Sequence, residues 1–167
     1  MKHNKCHRWP SADGFLLWEA INAGTVSRER VERALIKSPE MGMMQFEDGL
    51  TLLMRSISCG QLGACLALRP YSDPNMISDS GFNALMIAAL QTANDRKPYF
   101  AELLPVTDLD AGIHDGYGQT AQCLVEYGPN NDGALEMMKA HLEARDLNSA
   151  VLDRRSSDTL GKGRCRL

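Results

Sequence analysis

Two sets of residues in this 167-residue chain are of types that can do chemistry. His3, Cys6 and His7 put two imidazoles and a thiol within the first seven residues, donors of the kind that hold zinc. Cys123 follows His114 closely, and a nearby imidazole is what a thiol nucleophile uses to lose its proton. Neither set is complete. No fourth ligand follows the first set at the spacing of a structural zinc site, and its setting is a polar chain end, where a flexible terminus is the simpler expectation. Cys123 falls in a segment expected to pack as a helix, close to Glu126, whereas a reactive thiolate needs exposure and positive surroundings. A structural cysteine is expected there. The chain also lacks a phosphate-cradling Walker loop, G-x-S-x-G, H-E-x-x-H, and G-x-G-x-x-G after a strand-like run. The expectation is a protein with no catalytic residue, no metal and no cofactor, and a small thiol- or metal-dependent enzyme is the alternative.

Composition narrows the remaining classes. The net charge is −3, but residues 1–12 and 153–167 each carry +3, which leaves −9 on residues 13–152. Nucleic acid needs a basic face that displaces counterions from phosphates, so an acidic body excludes it as a partner for everything but the tails. No stretch is apolar enough to cross a membrane, and the start "MKHNKCHRWP" has no apolar core of a secretory signal. Five cysteines, odd in number and without a C-x-x-C pair, argue against a disulfide framework and for a reducing compartment. These features predict a cytoplasmic protein, or one delivered into a host cell.

The elements that must position any site follow from an internal period. "SGFNALMIAALQT" from Ser80 aligns with "DGLTLLMRSISCG" from Asp48, "YGQTAQCLVEYG" from Tyr117 and, more loosely, "DGFLLWEAINAG" from Asp13. Phe15, Thr51, Asn83 and Thr120 correspond, at spacings of 36, 32 and 37 residues. In each unit a glycine turn precedes a residue placed to cap a helix, and small and apolar residues follow. Thr51, Asn83 and Thr120 are the expected caps. Second helices are predicted over Ser27–Lys37, Gln61–Arg69, Pro98–Leu104 and Asp132–Ala144, with Ser27 and Asp132 as caps. In the first of these, Val31, Ala34 and Leu35 share one face. Met41, Met43 and Met44 form an apolar cluster suited to core filling or to adaptable binding. Residues 94–97 and 128–131 lengthen the loops between helices. Helix pairs of this size cannot bury their apolar faces alone and must stack.

The units resemble the ankyrin repeat, whose pattern is approximately D-x-x-G-x-T-P-L-H-x-A-A-x-x-G, closed by a second helix and a D-x-N hairpin. "DPN" at 73–75 stands six residues before Gly81, and "GFNALMIAA" at 81–89 follows the pattern closely. The second unit keeps Gly49, Thr51, Leu53 and Gly60, with Leu52 in place of the proline and Ser56-Ile57 in place of the alanine pair. The last keeps Asp115, Gly118, Thr120 and Leu124, has Gln122 for the pattern's leucine, and reaches Gly128 one residue early. The first keeps Leu17, Ala20 and Gly24, with Asp13 where glycine is expected and Phe15 in the threonine position. Departures at both ends fit capping repeats. The resemblance covers roughly residues 13–146 and implies an all-α, ankyrin-like helical-repeat solenoid. Its units run about 13–47, 48–78, 79–114 and 115–146, within a domain of 13–152. A flexible basic N-terminus, 1–12, precedes it and a basic disordered tail, 153–167, follows.

The resemblance also implies a function. Turn tips and first helices of such repeats form a concave surface that holds a protein partner. The positions carried over are Leu50, Phe82, Tyr117 and Gln119 at the tips, with Arg55 and Ile87 on adjoining first helices. Apolar and aromatic tip side chains are expected to find little to pack against at home, and aromatics are enriched at binding hot spots. The expected function is a nonenzymatic protein-interaction module, an adaptor, inhibitor or effector, with a partner surface that is basic enough to complement the acidic body. A structural subunit of a larger assembly is a further alternative, and the oligomeric state stays open.

Overall fold

A computed structural model of the chain describes residues 12–46, 48–91, 95–109, 115, 117–128 and 133–161, with side chains as far as residue 150. All regular structure among them is helical, apart from one isolated bridge between Gln45 and Thr51. Helix α1 spans Ala12–Asn22, α2 Arg28–Lys37, α3 Leu52–Ser58, α4 Leu62–Leu68, α5 Ala84–Ala89, α6 Lys97–Leu103, α7 Ala121–Glu126 and α8 Ala134–Gly161. Short 3-10 turns cover Pro39–Met43, Arg69–Tyr71 and Leu104–Val106.

Local chemistry starts these helices where short polar side chains follow turns. The Thr51 hydroxyl accepts from the Met54 N–H at 3.2 Å, Asn83 Oδ1 from Met86 at 2.8 Å and Thr120 Oγ1 from Cys123 at 3.3 Å, each satisfying an N–H that has no partner inside its helix. Ser27 does the same for Arg30 at the start of α2. Two residues before each of the caps Thr51, Asn83 and Thr120 stands a glycine at positive φ (Gly49 at 72°, Gly81 at 85°, Gly118 at 79°), a conformation that a side chain strongly disfavours. At Gly49 space forbids a side chain as well: a Cβ would lie 2.5 Å from the Asp79 amide nitrogen.

Short helices with one apolar face are stable only when packed. The principal contacts link α1 to α3, α3 to α5 and α5 to α7 in one succession, and α2 to α4, α4 to α6 and α6 to α8 in another. Leu52, Leu53, Ile57, Leu85, Ala88, Ala89, Phe100 and Leu103 are fully buried between them. The alanines let α5 sit close to both neighbours. Met41 is buried, Met44 half-buried and Met43 exposed, so the methionine cluster fills core at one end and faces solvent at the other.

Polar side chains, Gln91 and Arg96 buried and Gln61 half-buried, tie the helix ends together. Gln61 Nε2 donates to the carbonyl of Ile21 and Gln91 Nε2 to that of Ile57, so the end of α1 is clamped from the α3–α4 turn and the end of α3 from the residues just after α5. Arg96, only 1% exposed, donates from Nη1 to the Ala89 carbonyl at 2.8 Å, closing α5 from within its own unit.

Several sequence expectations shift. Helix α1 already begins at Ala12, so Phe15, which aligns with Thr51, is a half-exposed residue within the helix rather than one that precedes it. Helix α6 starts at Lys97, with Pro98 in the first turn, where its missing N–H breaks no bond. Helix α8 runs past residue 152 into the stretch expected to be a disordered tail. No proline or glycine interrupts residues 134–160, and the first breaker is Gly161. Asp132, the expected cap of α8, lies outside the described residues, as does the 94 and 129–131 part of the lengthened loops.

Candidate protein-binding groove

The turn before α3 and the turn before α5 lie side by side. Asp79 N–H donates to the Asp48 carbonyl at 3.1 Å, and Gln45 Nε2 bridges the carbonyls of Gly49 and Ile77 at 2.8 Å each. Each turn is also closed on itself: Asp48 Oδ1 accepts from Leu50 N–H, and Ser78 Oγ accepts from Phe82 N–H. Two rigid tips are thereby held in register.

Between them and the helices behind lies an open groove of about 500 Å³. Leu50, Phe82, Ile87 and Leu90 supply its apolar surface, and Asp48, Ser58, Ser78 and Ser80 its polar rim. Leu50, Phe82 and Ile87 are half-buried and packed against the core, while Leu90 is 44% exposed. Three of the carried-over positions, Leu50, Phe82 and Ile87, therefore meet in one place. The expectation that tip side chains find little to pack against at home does not describe Leu50 or Phe82, because both pack against the core.

The other three lie elsewhere. Arg55, on α3, places its guanidinium 5.3 Å from the centroid of the Trp18 ring and donates from Nε to Asn22 Oδ1. Trp18 in turn stacks on Phe46, with ring centroids 4.1 Å apart and planes 14° from parallel. Tyr117 is 88% exposed, and Gln119 is exposed beside it. Buried Asp115 orders that tip by accepting the N–H groups of Tyr117 and Gln119, each at 2.8 Å.

Leu90, Trp18 and Tyr127 are surface residues that the repeat alignment did not single out. The signal for two of them was present. Leu90 follows its cap Asn83 by seven residues, as Tyr127 follows Thr120 and Ser58 follows Thr51, so all three sit at the ends of first helices. Tyr127 is 82% exposed.

Cys59 and Cys123 are half-buried and Cys65 is buried, all three as free thiols. Burial pushes Cys65 up to about 12, with Glu102 adding to the shift, and so holds it as a neutral thiol. Burial also pushes buried Tyr99 up to about 12. Cys123 is half-buried, with Thr120 Oγ1 donating to its Sγ at 3.3 Å. His3, Cys6, His7, His114 and Cys165 lie outside the described residues. Among the described residues no three His, Cys, Asp or Glu side chains come together as a metal site, and no helix is long and apolar enough to cross a membrane.

No protein-family model matches the chain, and no curated protein matches it.

Proposed function

We propose that the chain is a small, divergent ankyrin-like repeat protein that works without catalysis, binding a protein partner through the groove between its second and third units. The observation that carries this reading is the meeting of Leu50, Phe82, Ile87 and Leu90 on a surface bounded by two hydrogen-bonded tips. A concave apolar floor with a polar rim gives a partner side chain desolvation at its centre and hydrogen bonds at its edge. The two parallel successions of helix contacts support the repeat assignment, because each pair packs mainly on its neighbours. Odd, scattered cysteines support a reducing cytoplasm, of its own cell or of a host, as the setting.

Leu90→Glu is the direct test. Leu90 is half-exposed at the end of α5, so the substitution leaves the core in place while putting a charge into the groove. The variant is expected to melt within a few degrees of the parent and to lose at least about tenfold in affinity for peptides selected on the parent protein. Equal affinity in the two proteins would place the binding surface somewhere else.

A further inference from the structure

A fixed cation stands one helical turn from the groove's edge at Ser58. Arg55 is held from two sides, by the Trp18 face beneath its guanidinium and by Asn22 on its Nε, while Phe46 backs the Trp18 ring. Both Nη groups are left without a protein acceptor among the described residues. Other surface arginines are held differently: Arg28 pairs with Glu32 at 2.7 Å, Arg145 stands 3.9 Å from Asp146, and Arg33 donates from Nε to the Glu29 carbonyl. In a body of charge −9, Arg55 is a half-exposed arginine whose rotamer is fixed by an aromatic ring and an amide rather than by a carboxylate.

We propose that Arg55 is a carboxylate receptor, and that the occupant of the groove is a partner segment carrying an apolar side chain flanked by an Asp or Glu. This rests on the groove being a protein-binding site. The planar fork of a guanidinium matches a carboxylate through paired N–H donors, and one whose rotamer is already fixed loses less freedom on forming them. The placement fits a single segment. Arg55 lies one helical turn before Ser58, which lines the groove, and such neighbours stand about 5–6 Å apart on a helix surface. Ile87, on the groove floor, occupies the place in α5 that Arg55 occupies in α3, four residues after the cap. Asp48 marks the opposite, tip side of the groove. A carboxylate there is repelled, so the segment is oriented with its acid toward α3 and a neutral or basic residue toward the tips.

The experiment pans a displayed library of random short peptides on the full chain and measures the affinities of synthetic winners by fluorescence anisotropy. Winners are expected to carry Asp or Glu within a few positions of an aliphatic or aromatic residue. Replacing that acid by its amide is expected to weaken binding to the parent protein about tenfold or more. Arg55→Gln is expected to weaken binding of the acidic peptide by a similar factor and to leave the amide peptide unaffected, and Arg55→Lys to restore only part of the loss. The peptide-side replacement uses the unaltered protein, so it decides the matter even if an Arg55 variant fails to fold. Winners without acids, or an acid-to-amide effect of equal size on parent and Arg55→Gln protein, overturn the Arg55 assignment alone, provided that Leu90→Glu still abolishes binding. A library that yields no binder, or winners indifferent to Leu90→Glu, overturns the groove and this inference with it.

Discussion

Phe82 stands partly in the core and partly in the groove, and that division sets what its removal does. Its backbone holds the tip through both bonds with Ser78, so an alanine keeps the turn. The ring is half-buried, and its loss is expected to cost about 1–2 kcal/mol, below the roughly 3–5 kcal/mol of a fully buried phenylalanine. A urea titration of Phe82→Ala measures this, and a loss in the upper range would return the residue wholly to the core. The caps Thr51, Asn83, Thr120 and Ser27 were legible in the sequence because their partners lie three residues away. Gln61, Gln91 and the Arg55–Trp18 pair were not. Their partners are more than thirty residues distant, and a glutamine or arginine read locally is an ordinary surface residue.

At the scale of the element, α5 is tightly constrained. It has only six residues, five of them buried, and it touches α3, α6 and α7. Ala89→Arg is expected to overpack it and bury an uncompensated charge, costing about 3 kcal/mol or more. Circular dichroism melting tests this, and an unchanged midpoint would mean that Ala89 is not in the packed face. The periodic placement of caps and turns made the helices legible, and their ends shifted by only a residue or so at α2, α4 and α6. The ends of the chain were less legible. Phe15 was aligned to a cap position by its distance from Thr51, but no turn glycine precedes it, and α1 starts before it. For α8, polarity and charge suggested disorder, yet helix continuation depends on the absence of breakers rather than on an apolar face.

At the scale of the molecule, α8 is long, and among its described side chains, 134–150, the packed ones stand in the first part. Ala134 and Met138 are fully buried, Leu142 and Arg145 partly, and residues 146–150 are exposed. A chain ending at residue 152 is therefore expected to melt within a few degrees of the parent. One ending at residue 133 uncovers the faces of α6 and α7 and is expected to lose its cooperative transition. Thermal melts of the two truncations, run side by side, check this. The two glutamine clamps give the molecule a direction. The Ile21 and Ile57 carbonyls each take one N–H from their own turn, at Gly24 and Gly60, and a second donor from the unit that follows. A nascent chain leaves the ribosome N-terminus first. Unit one thus emerges with its last turn half-finished and is completed only when Gln61 appears, and unit two waits in the same way for Gln91. Unit three needs no such wait, because Arg96 closes Ala89 from within. Synthesis would lock the chain forward to its third unit, the one that carries Phe82, Ile87 and Leu90, and a ribosome stalled before Gln91 would hold an α3 whose end still lacks its second donor.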